Sequence, residues 1–289
     1  MITSFLMVGQ SNMAGRGNPA EVKKIVHGGK LLMLRNCKWL GMAEPINYDR
    51  PFSGTSLAAS FAECALADLK PLDEEAKVGL IPAADGGSSL YDWRIGGELY
   101  ENAVFLTKMA MKSSTLAGII WHQGEAECGG KRYEMYEERF IEIMESLKRD
   151  IGCPDVPVIV GGLGDFLAQR TVTPDLVNYG YVNEALMGLC QRHEGYYYVS
   201  ARGLTSNADF LHFNAVSLRE FGKRYYVAYR DRRSVMDDEF AENLGIAVGA
   251  GADYGDIMAE LAELNEKFRK GDITEEQLAA ERKRLMAEM

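Results

Sequence analysis

Short apolar runs alternate with longer amphipathic segments along this chain, and that alternation constrains the fold more than any other feature. It is typical of β-α units built into a mainly parallel sheet. Several runs are nearly continuous in Val, Ile and Leu, as strands covered on both faces are. The predicted strands are residues 4–8, 31–34, 78–81, 118–121, 156–160 and 197–200. The predicted helices are residues 56–68, 99–111, 133–149, 177–192 and 215–230.

The charge and cysteine content disfavour several classes of protein. The 289 residues include 42 acidic and 32 basic side chains, for a net charge of -10. This balance disfavours a nucleic acid or an anionic membrane surface as the main partner, so we expect neither. The five cysteines are scattered and form no C-x-x-C pair, which indicates reduced thiols rather than a disulfide framework or a zinc site.

The N-terminal apolar run, residues 2–8, does not have the form of a secretory signal. It is too short for an h-region followed by a cleavage site, and no basic segment precedes it. No stretch of the sequence approaches the ~20 apolar residues that a membrane span needs. The sequence therefore predicts a cytoplasmic protein.

The composition changes after about residue 234. Glycines and other small residues recur in residues 239–255, and two charged amphipathic stretches follow. Thr274 and Gln277 have the spacing of a capping box at a helix start. We therefore predict a main domain at residues 1–234 and a helical C-terminal extension at residues 235–289. The extension is expected to pack on the domain or on a second subunit of a homo-oligomer.

Ser11 follows the first predicted strand, within a Gly-rich segment at residues 9–17. Ligand sites of open α/β sheets collect at the carboxyl ends of the strands, so this hydroxyl is expected at such an edge. If a helical turn follows, the Ser11 N–H also points into the cleft. The alternative is that Ser11 caps a helix N-terminus, which would give it the same neighbours.

Asp209 lies three residues before His212 in a loop that enters a predicted helix. An Asp at this spacing can turn its carboxylate onto the imidazole Nδ1, which fixes the tautomer needed for acyl transfer. The alternative is that Asp209 caps a turn and His212 only packs there. The spacing leaves both interpretations open.

Two further loops after predicted strands carry groups suited to hold an oxyanion. Gly86 and Gly87 form a turn whose backbone N–H groups can face a developing negative charge, although such a pair is also common in simple turns. Gln123 offers an uncharged amide donor after the strand at 118–121. The alternative for Gln123 is a satisfied hydrogen-bond network that shapes the loop.

These blocks, in this order, resemble the SGNH (GDSL-type) hydrolase superfamily, and more narrowly carbohydrate esterase family 6 and the sialate O-acetylesterase-like domain. The resembling blocks are Gly-Gln-Ser-Asn-Met at 9–13, Pro-Ala-Ala-Asp-Gly-Gly-Ser-Ser at 82–89, Trp-His-Gln-Gly-Glu at 121–125 and Asp-Phe-Leu-His-Phe at 209–213. The resemblance spans about residues 2–230. It implies an α/β fold, a three-layer α/β/α sandwich on a five-stranded parallel sheet of the flavodoxin-like type.

The resemblance also implies a reaction. Ser11 would be the nucleophile, His212 the general base and Asp209 its partner. The chain would then be a serine esterase that removes O-acetyl groups from a small acetylated sugar through an acyl-enzyme, without a metal or organic cofactor. The implied substrates are acetylated xylan or oligosaccharides, or a sialate.

The implied oxyanion hole combines three donors. They are the Ser11 N–H, a backbone N–H of Gly86 or Gly87, and the Gln123 side chain. The wider superfamily usually has Asn in the third place and Asp before the serine. Gln in the third place and Gln10 before Ser11 are the pattern of the carbohydrate-esterase subgroup.

Trp93, Arg16 and Glu125 are the predicted substrate contacts. The ring of Trp93 suits a sugar, and the alternative is that it packs on the sheet. Arg16 suits an acidic sugar, and the alternative is a solvated side chain. Two other functions stay open: a short-chain acyl esterase or thioesterase of the same superfamily, and a carbohydrate-binding module without catalysis.

Overall fold

The computed structural model describes residues 1–236, 264, 267, 272–274 and 276–281. The chain divides into two units, Met1–Glu239 and Phe240–Met289. The predicted division between residues 234 and 235 stays a prediction, and most of the predicted helical extension lies outside the described residues. Within the second unit, the Thr274 N–H donates to Gln277 Oε1 at 2.8 Å and the Gln277 N–H donates to Thr274 Oγ1 at 3.3 Å. These two hydrogen bonds form the predicted capping box.

A mainly parallel sheet lies at the centre of the first unit. The strands are β1 (Ile2–Gly9), β2 (Leu31–Arg35), β3 (Lys38–Gly41), β4 (Lys77–Pro82), β5 (Ser114–His122), β6 (Val158–Gly161) and β7 (Tyr196–Val199). They form one sheet in the order β3-β2-β4-β1-β5-β6-β7, and only the β2–β3 pair is antiparallel. All six strands predicted from apolar runs are present.

The sheet has seven strands, not the five that the resemblance implied. Sequence reasoning missed β3, which has four residues and pairs with β2 at the edge of the sheet. Three of its four residues are exposed, so no buried apolar run marks it. Asn36 and Cys37 join β2 to β3 with φ angles of 50° and 57°, the left-handed backbone that a two-residue hairpin turn uses.

Helices cover both faces of the sheet. They are α1 (Ser11–Ala14), α2 (Leu57–Leu69), α3 (Glu98–Ala110), α4 (Tyr136–Asp150), α5 (Tyr179–Arg192) and α6 (Ala215–Asp231). On one face α2 packs against α6, and Phe61 of α2 meets Phe5 of β1 and Tyr226 of α6 edge-on. On the other face lie α3, α4 and α5, and Trp121 of β5 meets Phe140 of α4. The three-layer α/β/α arrangement is therefore confirmed.

The carboxyl edge of the sheet gathers the loops that carry the predicted site. Because β1 lies between β4 and β5, the segments after these three strands emerge side by side. They carry Ser11, the glycine turn at residues 86–87, and Gln123. A fourth loop, between β7 and α6, carries Asp209 and His212.

The described residues also show the state of the cysteines and whether membrane spans or metal-binding groups are present among them. All five cysteines are unpaired thiols. Among the described helices, none is long and apolar enough to cross a membrane. The described part of the chain contains no group of three or more His, Cys, Asp or Glu side chains that could hold a metal ion.

Candidate active site

Ser11 lies at the start of the short helix α1, directly after the central strand β1. The residue that caps α1 is Gln10, whose carbonyl accepts the N–H groups of Met13 and Ala14. Gln10 also donates its own N–H to His122 O at 2.9 Å, which ties the turn to β5. The Ser11 N–H has no partner in the described part of the chain. This leaves a serine N–H and hydroxyl together at the carboxyl edge of the sheet.

Ser11, His212 and Asp209 form a hydrogen-bonded row. Ser11 Oγ lies 3.0 Å from His212 Nε2, and His212 Nδ1 lies 2.6 Å from Asp209 Oδ2. The structure thus brings together three residues that were predicted from two separate motifs. A proton on Nδ1 leaves the Nε2 lone pair facing the hydroxyl, which is the arrangement that a general base needs.

The loop that carries Asp209 also fixes its carboxylate. Oδ1 accepts the N–H groups of Leu211 at 2.9 Å and of His212 at 3.0 Å, while Oδ2 faces the imidazole. Burial acts to raise the pKa of this carboxyl, but the two N–H donors and the imidazole outweigh burial and hold the pKa below its ordinary value. Asp209 is therefore ionised at neutral pH.

Burial lowers the pKa of the His212 imidazole, because its charged form loses hydration. The hydrogen bond and the charge of Asp209 oppose that shift, whereas the positive charges of Arg16 and Arg170 add to it. The resulting pKa lies below the ordinary value of 6.5. At pH 7 the imidazole is therefore neutral and able to accept a proton.

Asn12, which sequence reasoning did not single out, connects the loops around the row. Its Oδ1 accepts the Phe213 N–H at 3.1 Å. Its Nδ2 donates to the Leu211 carbonyl at 3.2 Å and to Glu125 Oε1 at 2.6 Å. The only sign of it in the sequence is its place directly after the serine of the first block.

Glu125 is buried beside Asn12, so its position does not support the predicted contact with substrate. Burial raises the pKa of Glu125 to about 7 and lowers the pKa of the nearby His122 to about 3. Glu125 Oε1 lies 3.9 Å from His122 Nε2. Within the described residues, neither Glu125 Oε2 nor His122 Nε2 has a hydrogen-bond partner.

A loop before α2 holds the glycine turn that follows β4. Asn47 exchanges two hydrogen bonds with the backbone of Ala84, at 2.9 and 3.0 Å. Arg50 forms an ion pair with Asp85 at 2.9 Å and donates to the Gly86 carbonyl at 2.9 Å. These side chains fix the backbone on both sides of Asp85. No motif or periodicity marks this loop, so sequence reasoning missed it.

The two glycines of the turn differ in what their N–H groups contact. The Gly86 N–H donates to Asp49 Oδ2 at 2.8 Å. A Cβ at Gly86 would lie 2.4 Å from Arg16 Nη2, so a side chain there would push on the buried Arg16–Asp49 ion pair. The Gly87 N–H has no partner among the described residues, and a Cβ at Gly87 would meet nothing within 4 Å. Gly87 is therefore the glycine on the open side of the turn.

Gln123 is completely buried, and both ends of its amide are engaged. Its Nε2 donates to the Ser88 carbonyl at 3.2 Å and to Glu127, and its Oε1 accepts from the Tyr136 hydroxyl at 3.2 Å. The side chain thus belongs to a network that shapes the loop. To donate to an oxyanion, Gln123 would have to give up one of these hydrogen bonds.

Two further predicted substrate contacts, Trp93 and Arg16, are buried and engaged with other parts of the protein. Trp93 is 0% exposed, donates from Nε1 to Ser88 Oγ at 2.9 Å and packs edge-on against Trp121, so its ring offers no face to a sugar. Arg16 is buried in a two-pronged ion pair with Asp49, at 2.6 and 3.1 Å. Its charge is therefore matched within the protein rather than held ready for an acidic sugar.

The segment that carries all four loops matches a known family. Residues 2–231 match the family model described as carbohydrate esterase, sialic acid-specific acetylesterase. The chain belongs to this family. The resemblance noted in the sequence is thereby confirmed, and every residue of the candidate site in this carbohydrate esterase lies inside the matched range.

Three relatives show how far the similarity extends. A probable carbohydrate esterase from Arabidopsis thaliana is 26% identical over 250 residues, which are 78% of this chain and 89% of the relative. The solved structure of that protein has a TM-score of 0.70 at 25% identity and covers 79% of this carbohydrate esterase and 98% of its own chain.

Two more distant structures share the fold. The crystal structure of NanS has a TM-score of 0.64 at 16% identity and covers 80% of this chain and 97% of its own. A carbohydrate acetylesterase from Xanthomonas citri has a TM-score of 0.57 at 17% identity and covers 79% of this chain and 55% of its own. At these identities the likeness concerns the fold alone.

Proposed function

We propose that this carbohydrate esterase removes O-acetyl groups from an acetylated carbohydrate, with Ser11 as the nucleophile. The observation that carries the proposal is the Ser11–His212–Asp209 row, with its distances of 3.0 and 2.6 Å. Family membership supports the reaction class, as does the similarity to the probable carbohydrate esterase from Arabidopsis thaliana. The substrate class comprises acetylated xylan or oligosaccharides and O-acetylated sialates.

The first half of the reaction transfers the acetyl group to the enzyme. His212 Nε2 accepts the Ser11 proton as Oγ bonds to the acetyl carbonyl carbon and the carbonyl π electrons move to oxygen. When the tetrahedral intermediate collapses, the bond from carbon to the sugar oxygen breaks. His212 returns the proton to that oxygen, which leaves acetyl-Ser11 and a free sugar hydroxyl.

The second half repeats these steps with water as the nucleophile. His212 accepts a proton from water as the water oxygen attacks the acetyl carbon. The bond from that carbon to Ser11 Oγ then breaks, and His212 returns the proton to Oγ as acetate leaves. Asp209 keeps the Nδ1 proton in place and stabilises the imidazolium that forms in each half. Its lowered pKa keeps it ionised for this task.

The oxyanion of both intermediates needs donors that are already in place. We assign the N–H groups of Ser11 and Gly87, because neither has a partner in the described residues, whereas the Gly86 N–H donates to Asp49. Loss of one such donor lowers kcat by about 10²- to 10³-fold in other serine hydrolases. Gln123 holds the Ser88 carbonyl and thereby the turn, and it joins the donors only after release from Ser88 or Glu127.

The test compares esters that differ in acyl length and in alcohol. Acetate release from acetylated xylo-oligosaccharides and from an O-acetylated sialic acid is measured beside hydrolysis of 4-nitrophenyl acetate and butyrate. We expect the parent to prefer acetyl esters, Ser11→Ala to lose turnover, and the exposed Ser113→Ala to match the parent. Equal or faster butyrate turnover would instead indicate a short-chain acyl esterase. No turnover by the folded parent would overturn the catalytic proposal and favour a binding module.

A further inference from the structure

We propose that Phe52 forms a stacking surface for the sugar ring of the substrate, an inference that rests on the function proposed above. Phe52 is 68% exposed, although it is a large apolar side chain. The C–H face of a pyranose and the face of an aromatic ring are complementary apolar surfaces, and an aromatic ring brings a large contact area. Since Trp93 is buried, the candidate site needs another aromatic ring if it is to stack a sugar.

The turn that carries Phe52 is held by local hydrogen bonds. The Ser53 N–H donates to the Arg50 carbonyl at 3.0 Å, and the Arg50 N–H donates to Ser53 Oγ at 3.2 Å. Ser53 Oγ also lies 2.9 Å from Asp49 Oδ1. The exposed ring therefore sits on a fixed backbone, and a ligand that stacks on it has little chain entropy to remove.

Arg16 connects Phe52 to the turn that follows the nucleophile. The guanidinium Cζ of Arg16 lies 5.2 Å from the centroid of the Phe52 ring. Arg16 Nη1 donates to the Gly15 carbonyl at 2.8 Å, and the Gly15 N–H donates to the Ser11 carbonyl at 2.8 Å. A chain of three contacts therefore joins the Phe52 ring, through Arg16 and Gly15, to the backbone carbonyl of Ser11.

The same guanidinium also borders the glycine turn. A Cβ at Gly86 would lie 2.4 Å from Arg16 Nη2, so the turn passes directly over the ion pair. The charge of Arg16 reaches His212, whose pKa it helps to lower. Phe52 thus packs against a guanidinium that also contacts the oxyanion turn and the residue that ends the helix of the nucleophile. Its ring has the guanidinium near one side and a large exposed surface for a ligand.

A purely structural role for Phe52 would be to cover the Arg16–Asp49 ion pair. Leucine supplies apolar cover without an aromatic face, and tyrosine keeps the face. The test therefore compares Phe52→Leu with Phe52→Tyr, and uses Phe105→Leu as a control for an exposed phenylalanine on α3, where Phe105 is 54% exposed. The substrates are an acetylated xylo-oligosaccharide and ethyl acetate, which has no ring.

We expect Phe52→Leu to raise KM for the acetylated oligosaccharide about three- to tenfold, with kcat and the hydrolysis of ethyl acetate unchanged. Phe52→Tyr and Phe105→Leu should match the parent. Equal losses on both esters would show a structural role, and no change on either would show that the ring does not contact the sugar. Either result overturns the inference.

A binding measurement separates this inference from the proposed reaction. Calorimetry with the same oligosaccharide compares Ser11→Ala with the Ser11→Ala, Phe52→Leu double variant. Loss of stacking should raise the Kd of the double variant about three- to tenfold, as it raises KM. If the parent binds the sugar and loses affinity with Phe52→Leu but hydrolyses no ester, stacking stands and the proposed reaction fails. If the parent hydrolyses the sugar ester and the two Kd values agree, the reaction stands and stacking fails.

Discussion

Asn12 Oδ1 accepts the Phe213 N–H at 3.1 Å, so the residue after the proposed nucleophile is bonded to the residue after the proposed base. The Asn12 amide also donates to the Leu211 carbonyl at 3.2 Å. One side chain therefore sets the separation between two loops that lie far apart in the sequence. The 3.0 Å distance from Ser11 Oγ to His212 Nε2 depends on that separation.

Replacing Asn12 by alanine removes these links, so we expect kcat to fall about 100-fold, the cost of a misplacement of about 1 Å. KM for the acetylated substrate should change little, because Asn12 is buried. The free energy of unfolding should fall by about 1–3 kcal/mol, since buried polar partners lose their hydrogen bonds.

Asn183→Ala is the matched control for Asn12→Ala. Asn183 also makes two side-chain hydrogen bonds to backbone, to the Leu163 N–H at 2.7 Å and the Leu163 carbonyl at 3.0 Å. Its loss should lower stability without a comparable loss of kcat. If both variants lose kcat equally, the effect of Asn12 is general destabilisation rather than positioning.

Glu125 should make stability depend on pH. In the folded protein its pKa is about 7, whereas the unfolded carboxyl ionises near 4.5. Below pH 4.5 both states hold the proton, and the favourable contribution is complete. As pH rises from about 4.5 to 7, the unfolded state releases this proton first, so the free energy of unfolding falls, by about 3 kcal/mol in total.

The variant Glu125→Gln removes this titration and keeps an oxygen that can accept from Asn12. Urea unfolding of parent and variant at several pH values from 5 to 8 measures the difference. We expect the parent to lose stability relative to Glu125→Gln as pH rises, and the variant to retain activity. Parallel stability curves would show that Glu125 does not titrate in this range.

Gly86→Ala should destabilise the protein by about 1–3 kcal/mol, because its Cβ would overlap the buried Arg16–Asp49 ion pair and the pair or the turn would have to shift. The same substitution at Gly180 should have the opposite sign. Gly180 lies in α5 with nothing within 4 Å of an added Cβ, so alanine there is expected to stabilise by about 0.5–1 kcal/mol. Denaturant unfolding measures both, and a neutral Gly86→Ala variant would contradict the tight approach seen here.

The acid limb of the pH–rate profile should report His212. Since the pKa of this imidazole lies below 6.5, kcat/KM should stay level through neutral pH and fall only below that value, as Nε2 becomes protonated. Asp209→Asn removes the carboxylate that raises this pKa, so the limb should move to lower pH. The rate should also fall, by up to about 10⁴-fold, because the tautomer is no longer fixed. An unchanged rate would mean that Ser11 and His212 act without Asp209.

The sheet and its helices could be predicted because strands buried on both faces leave continuous apolar runs. The strand β3 leaves no such run, since three of its four residues are exposed. The six parallel strands predicted from the residues are present, and the count of five taken from the resemblance was wrong because the sheet has seven strands.

The residues of the row could be proposed because each stands in a short block after a predicted strand. Contacts between distant segments leave no local sign, and Asp49 reaches Gly86 across 37 residues. The direction of a side chain is equally hidden, because Trp93 faces the core only when the surrounding layers are assembled. The burial of Arg16 and Glu125 was hidden in the sequence for the same reason.

The most direct test of the central claim is to identify the acylated residue. The parent is mixed with 4-nitrophenyl acetate, quenched in acid during turnover, and its peptides are analysed by mass spectrometry. The account predicts an acetyl group on Ser11, which disappears together with turnover in Ser11→Ala. Turnover that persists in Ser11→Ala, or acetate release without acetyl-Ser11 in a parent quenched during a pre-steady-state burst, would contradict it.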